Sequence, residues 1–200
     1  MALSIQAIGK MINNMVMVLS LGQMALRMRG NTLKEKSMEL ENFNGATVAI
    51  ILENFHKNSG KVLSSLCDLG TGAGLPGVVL FIMGRKNVIL CDKSSKKSYF
   101  LKKILQECSL DIEIYNNRIE DYFRSNIDVI VSRAFASLKK LLNSIYHLVS
   151  IETVLVIHKG KKYKQEIEEA EQSFSFKYEK YQSITCHKGA ILKIEKIKKK

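Results

Sequence analysis

The residues best placed to do chemistry lie in one glycine-rich stretch, Asp68-Leu69-Gly70-Thr71-Gly72-Ala73-Gly74-Leu75-Pro76-Gly77. Three glycines at alternate positions let the backbone turn tightly and admit a ligand with no Cβ in its way. The stretch follows an apolar strand-like run, 62–67, and opens an apolar helix-like run, 78–83. A nucleotide-like ligand is therefore expected at the carboxyl end of a first strand. Two ligands compete for it. Gly72-x-Gly74-x-x-Gly77 has dinucleotide spacing, and Asp92 lies 20 residues beyond Gly72, where a ribose-binding acid belongs. Taken alone, that spacing admits NAD and an oxidoreductase. Pro76 weighs against it by removing an N–H that a pyrophosphate would use at the helix start, and Asp68 would repel a polyanion. S-adenosylmethionine suits the loop better, because it has no phosphate and carries a sulfonium cation. Under either reading Asp92 accepts from the ribose hydroxyls. The bland alternative is a solvated turn with a capping acid.

Two further stretches fall at strand ends. Asn117-Arg118-Ile119-Glu120-Asp121 follows a third strand, where Glu120 can accept from an adenine amino group while Ile119 packs on the ring; a helix-terminal acid pair explains it equally well. Ser132-Arg133-Ala134-Phe135-Ala136-Ser137-Leu138 follows a fourth strand and sets a guanidinium beside an aromatic ring, both able to stack on a base. The alternative makes Phe135 core and pairs Arg133 with Asp128 or Glu120. Cys67, Cys91, Cys108 and Cys186 form no CxxC pair, and the four histidines show no ligand spacing, so no metal site is expected. Cysteine in apolar runs is a small buried hydrophobe, which fits a reducing cytoplasm.

The elements that must position these residues alternate. Strands are expected at 62–67, Val88–Cys91, 112–115, 127–131 and 154–157, with helices at 46–57, 78–83, 95–108, 137–149 and 161–172, and a terminal strand pair near 174–178 and 190–195. Such alternation means βαβ units, hence a doubly wound α/β domain with a mostly parallel sheet. Ahead of it, Ile5, Ile8, Met11, Ile12, Met15 and Leu19 recur at helical spacing, and Asn13, Asn14 and Gln23 break a run otherwise suited to a signal or a membrane span. Residues 31–45 are polar and expected to break at Asn44-Gly45. The chain of 200 residues carries 31 Lys and Arg against 19 Asp and Glu, a net charge of +12, with +5 over 61–150 and +5 over 151–200. That balance favours a polyanionic partner, nucleic acid ahead of membrane.

The glycine loop, Asp92 with the K-K-x-x-F-L helix after it, N-R-I-E, Lys159-Gly160 and above all S-R-A-F-A-S-L resemble the bacterial 16S rRNA methyltransferase G family (RsmG, glucose-inhibited division protein B). The resemblance implies a class I S-adenosylmethionine-dependent methyltransferase fold, Rossmann-like, with a C-terminal antiparallel strand pair. It divides the chain into an N-terminal helical segment, 1–60, and a methyltransferase domain, 61–200. It implies methylation at N7 of a guanine, position 527 in the 530 loop of 16S rRNA, by a cytoplasmic monomer that meets the free rRNA or the small ribosomal subunit and needs neither metal nor membrane. Carried over motif by motif, cofactor-binding positions fall on Gly70, Leu75, Ile119, Glu120 and Arg133; Asp68, Gly72 and Asp92 join them on the physical grounds above. No acid–base residue is expected, since guanine N7 offers a free lone pair. One departure stands out: the family's W-N-x-x-x-N-L and R-H-x-x-D-S segments cannot be read in residues 1–60, and the chain has no Trp.

Overall fold

The structure is a computed structural model and describes residues 35–124, 127–183 and 188–200. The expected helix over 5–19, as well as Cys186 and His187, lies outside the described residues. Among the described residues, seven strands form one sheet: β1 (Leu66–Leu69), β2 (Val88–Cys91), β3 (Glu113–Tyr115), β4 (Val129–Arg133), β5 (Val154–Lys159), β6 (Phe174–Gln182) and β7 (Ala190–Lys199). Their order is β3-β2-β1-β4-β5-β7-β6. The first five run parallel, and β7 lies antiparallel between β5 and β6.

Helices cover both faces, as parallel strands require. Alternate side chains point to opposite sides, which splits the core in two. Cys67, Ile130 and Leu155 meet Leu138, Leu141 and Leu142 of α4 (Leu138–Ile145) and Ile167 of α5 (Tyr163–Glu171). Leu66, Leu90, Val131 and Val156 meet α1 (Glu35–Ser59), α2 (Gly77–Ile82) and α3 (Ser95–Glu107) through Val48, Leu80 and Leu101. On α1 the side chains of Val48, Ile51 and Leu52 are buried, and Phe55 packs against the same cluster. Lys193 of β7 lies 4.8 Å above the Phe55 ring, held by Glu179 and Glu195 at 3.0 and 2.8 Å.

Several boundaries differ from expectation, among them the C-terminal pair, where β6 runs to Gln182 and β7 to Lys199. Helix α1 passes straight through Asn44-Gly45; Asn and Gly each lower helix preference by about 1 kcal/mol or less, whereas fully burying two or three aliphatic side chains contributes more. Strand β1 begins at Leu66 rather than at 62, because the Asp128 carboxylate accepts from the Ser64 and Ser65 N–H groups (2.9 and 3.0 Å) that a longer ladder would use. Strand β4 runs on through Ser132, whose hydroxyl is buried and donates to the Leu69 carbonyl at 2.9 Å. The basic C-terminal run belongs to β7, where Ile197 is buried and the Lys200 N–H donates to the Ser173 carbonyl. Among the described residues no helix is long and apolar enough to cross a membrane.

Gly77 marks the tightest contact between sheet and helix. A Cβ there would collide with Leu90 Cδ2 and come within 2.8 Å of Asp68 Cβ and 2.7 Å of its Oδ2. Gly77→Ala is expected to lower unfolding free energy by about 1–3 kcal/mol, the usual cost of overpacking. Urea titration of both proteins measures it, and an unchanged midpoint would contradict the assigned contact.

Candidate active site

The loop between β1 and α2 is built on hydrogen bonds. Gly70 and Thr71 N–H donate to the Cys91 carbonyl at 2.8 and 3.0 Å, tying the loop to the end of β2. Gly74 and Leu75 N–H donate back to the Thr71 carbonyl, closing the turn. Gly70 has φ +71°, and a Cβ on it would meet Phe135 Cδ2 at 2.9 Å, so a side chain there is excluded twice. Beneath the loop, Asp68 Oδ2 accepts from Thr71 Oγ1 and from the Gly77 N–H, both at 2.7 Å. The start of α2 is thus already capped by a carboxylate, where a dinucleotide's pyrophosphate would have to sit. The NAD reading loses its anion site.

Four of the expected residues, Gly70, Asp92, Ile119 and Glu120, line one cleft of about 410 Å³ at the carboxyl ends of the parallel strands. The remaining lining comes from Leu69 and Cys91 at the strand ends, from Ala134, Phe135 and Ala136, from Asn117 and Arg118, and from Lys93, Lys97, Lys140 and Ser144. The other four expected residues, Asp68, Gly72, Leu75 and Arg133, are not among those that line it. Gly72 N–H donates to Asp92 Oδ2 at 3.0 Å, and Ser94 N–H to Asp92 Oδ1 at 2.9 Å, so the carboxylate is aimed by backbone from two loops. Arg133 pairs in register with His158 on β5 and shares the face of Asp68. Burial, reinforced by the Arg133 charge, pulls the His158 imidazole down to about 4.

Phe135 is 37% exposed, so it is not the core residue of the alternative reading. Asp128 is committed to Ser64 and Ser65. Glu120 accepts from Ser144 Oγ at 2.7 Å, and that hydroxyl holds its carboxyl below the usual range. The turn carrying Phe135 has Ala134 at φ +55° and is clamped from β5: Lys159 Nζ donates to the Ala136 carbonyl at 2.5 Å and to Glu166 Oε2 at 2.7 Å. The same Glu166 oxygen accepts from the Leu138 N–H that starts α4.

Residues 47–195 match the family of rRNA small subunit methyltransferase G. The chain belongs to this family. Among its similar relatives is the ribosomal RNA small subunit methyltransferase G of Rickettsia rickettsii (strain Sheila Smith), 37% identical over 134 residues, 67% of this chain and 69% of the relative. That of Rickettsia prowazekii (strain Madrid E) is 38% identical over the same shares. Among solved structures, the ribosomal protein L11 methylase of Lactobacillus delbrueckii subsp. bulgaricus aligns with a TM-score of 0.58 at 18% identity, over 78% of each chain. Magnesium protoporphyrin IX methyltransferase of Synechocystis PCC 6803, solved with bound SAM, gives 0.60 at 16%, over 83% of this chain and 85% of that one. These likenesses establish the fold as that of class I methyltransferases.

Several neighbours of the methyltransferase G cleft carry no plain sequence signal. Lys97, 3.5 Å from Asp92 Oδ2, reads in sequence as one lysine of a solvated helix face. Asn116 donates to the Asp92 carbonyl at 2.9 Å, and Ser144 reaches Glu120 from 24 residues away. Only the third dimension brings them in. Among the described residues no group of three or more His, Cys, Asp or Glu side chains is placed to hold a metal ion.

Asp68 generates a pH test. Burial pushes its carboxyl from 3.8 up to about 6, although Thr71, Gly77 and Arg133 all pull the other way, and Oδ1 has no partner among the described residues. The folded state therefore holds a proton that the unfolded state has lost. This group's contribution is present below about pH 4, falls as pH rises towards 6, and amounts to about 3 kcal/mol across the window. Asp68→Asn keeps an acceptor for Thr71 and Gly77 but cannot ionise. Thermal melts from pH 4 to 7 are expected to show that decline in the native chain and its loss in the variant; parallel curves would refute the assignment.

Proposed function

We propose that the chain methylates N7 of a guanine, position 527 in the 530 loop of 16S rRNA, using S-adenosylmethionine. The observation that carries this is the convergence of Gly70, Asp92, Ile119 and Glu120, from three different loops, on one cleft in a chain of the methyltransferase G family. The donor set fits the cofactor. Asp92 has a spare lone pair on Oδ1 for a ribose hydroxyl, and its Oδ2 can exchange Lys97 for the second. Glu120 stands ready for the adenine amino group, with Ile119 against the ring. Asp68 ties the glycine loop to α2 and Gly72 aims Asp92, while Leu75 and Arg133 are assigned to the same site by the family motifs. The cleft volume lies within the range of small-molecule sites.

When bound, S-adenosylmethionine supplies an electrophilic methyl group on a sulfonium. The chain's own task is to hold the guanine in line with it. Guanine N7 would offer that methyl group a free lone pair, so no proton would have to be removed first. A general base is therefore unnecessary, and catalysis rests on proximity and orientation. Phe135, braced against Gly70 and held through Lys159, is the surface on which the base would lie. Residues 1–60 are assigned to the substrate side and 61–200 to the transfer itself. The enzyme is read as a cytoplasmic monomer acting on the rRNA or the small subunit.

Two measurements test this. Asp92→Asn loses acceptor capacity and is expected to weaken S-adenosylhomocysteine binding at least tenfold by calorimetry, the loss of one or two charge-assisted hydrogen bonds. Small subunits from a strain lacking this methylation, incubated with the chain and radiolabelled cofactor, are expected to carry label at the 530-loop guanine. Cofactor binding without any label would favour a binding module that has lost turnover, a reading motivated by the missing W-N-x-x-x-N-L segment.

A further inference from the structure

The cleft holds more positive charge than its cofactor can use. Lys93, Lys97, Arg118 and Lys140 line it, against the carboxylates Asp92 and Glu120. Lys97 stands 3.5 Å from Asp92, and Arg118 stands 3.7 Å from Glu120. Lys93 and Lys140 are exposed and make no ion pair among the described residues. S-adenosylmethionine is itself a cation, because its sulfonium and ammonium outweigh its one carboxylate, and it carries no phosphate. Two unopposed lysines at the mouth repel it. Their charge suits something anionic that shares the cleft.

Their placement says more. Lys93 lies two residues past the end of β2, and Lys140 lies in the first turn of α4, after β4. Strand β1 runs between β2 and β4, so the two lysines rise from opposite walls, two strand spacings or roughly 10 Å apart at the sheet. Phe135 is exposed and lies against Gly70, just past the end of β1, the strand between β2 and β4. A base must leave its stack to be reached by an enzyme, and an exposed aromatic ring is what receives it.

We propose that Lys93 and Lys140 bind the phosphodiesters on either side of the target nucleotide in single-stranded RNA, while Phe135 receives its base. This rests on the methyl-transfer reading of the cleft. The lysines add affinity without sequence preference, since phosphate contacts position and base contacts specify.

The test uses the full chain with Lys93→Met, Lys140→Met, the double variant, and a Lys198→Met/Lys199→Met control. The control lysines sit at the opposite end of the sheet, where Lys199 pairs with Phe174, whereas the cleft end has Lys159 beside Ala190. Binding of a fluorescent single-stranded RNA with the 530-loop sequence, and of a duplex of equal length, is followed across salt concentrations. Each cleft lysine is expected to weaken single-strand binding several-fold and to reduce the salt slope by about 0.7. Melting temperature should hold, S-adenosylhomocysteine, which carries no net charge, should bind as before, and the control should behave as the native chain. An unchanged slope in the double variant overturns the proposal, as does equal loss on the duplex or loss confined to the control. A native chain that fails to bind S-adenosylhomocysteine overturns the methyl-transfer reading instead, while the slopes still decide the lysines.

Discussion

One buried carboxylate organises the site. Asp68 lies at the end of β1 with no exposure to solvent, and its single bonded oxygen joins Thr71, at the start of the glycine loop, to Gly77, at the start of α2. Strand, loop and helix are thereby fixed to one another across ten residues. The cost is a charge in a dry place, seen in the upward displacement of its titration. The absence of a side chain at Gly77 lets the helix come close enough for that bond. Everything the loop presents to the cleft depends on this triangle.

A second clamp holds the opposite wall. Glu166 of α5 caps α4 through the Leu138 N–H and neutralises the nearly buried Lys159, which in turn grips the Ala136 carbonyl. The turn between those points carries Phe135 out over Gly70. The two walls meet where an aromatic ring lies against a residue with no Cβ. The geometry is thus a joint property of β1, β4 and β5.

The sequence made much of this legible. Short apolar runs alternating with amphipathic ones fixed the βαβ order, because strands buried on both faces can be little else. Val88–Cys91 fell where the pattern placed it. The boundaries that moved did so for reasons invisible to periodicity: Asp128 captures two N–H groups ahead of β1, and a buried hydroxyl lets β4 continue through Ser132. At the site, Gly70, Asp92, Ile119 and Glu120 could be read from their place after strands. Lys97, Asn116, Ser144 and Glu166 could not, because their partners are fixed by helix orientation and strand order rather than by spacing.

The sheet order has a consequence for how the polypeptide acquires its shape during synthesis. Strand β7 is the last of the seven along the chain, yet it is wedged between β5 and β6 and, among the described residues, is the only strand that β6 pairs with. Until β7 leaves the ribosomal exit tunnel, the flank of β5 offers a row of unpaired amides and carbonyls, an open template for unwanted pairing. Synthesis runs from the N-terminus and favours early local units, so the five parallel strands can assemble while this flank stays bare. Closing it is a late event, and the nascent polypeptide must be kept from its neighbours until β7 arrives.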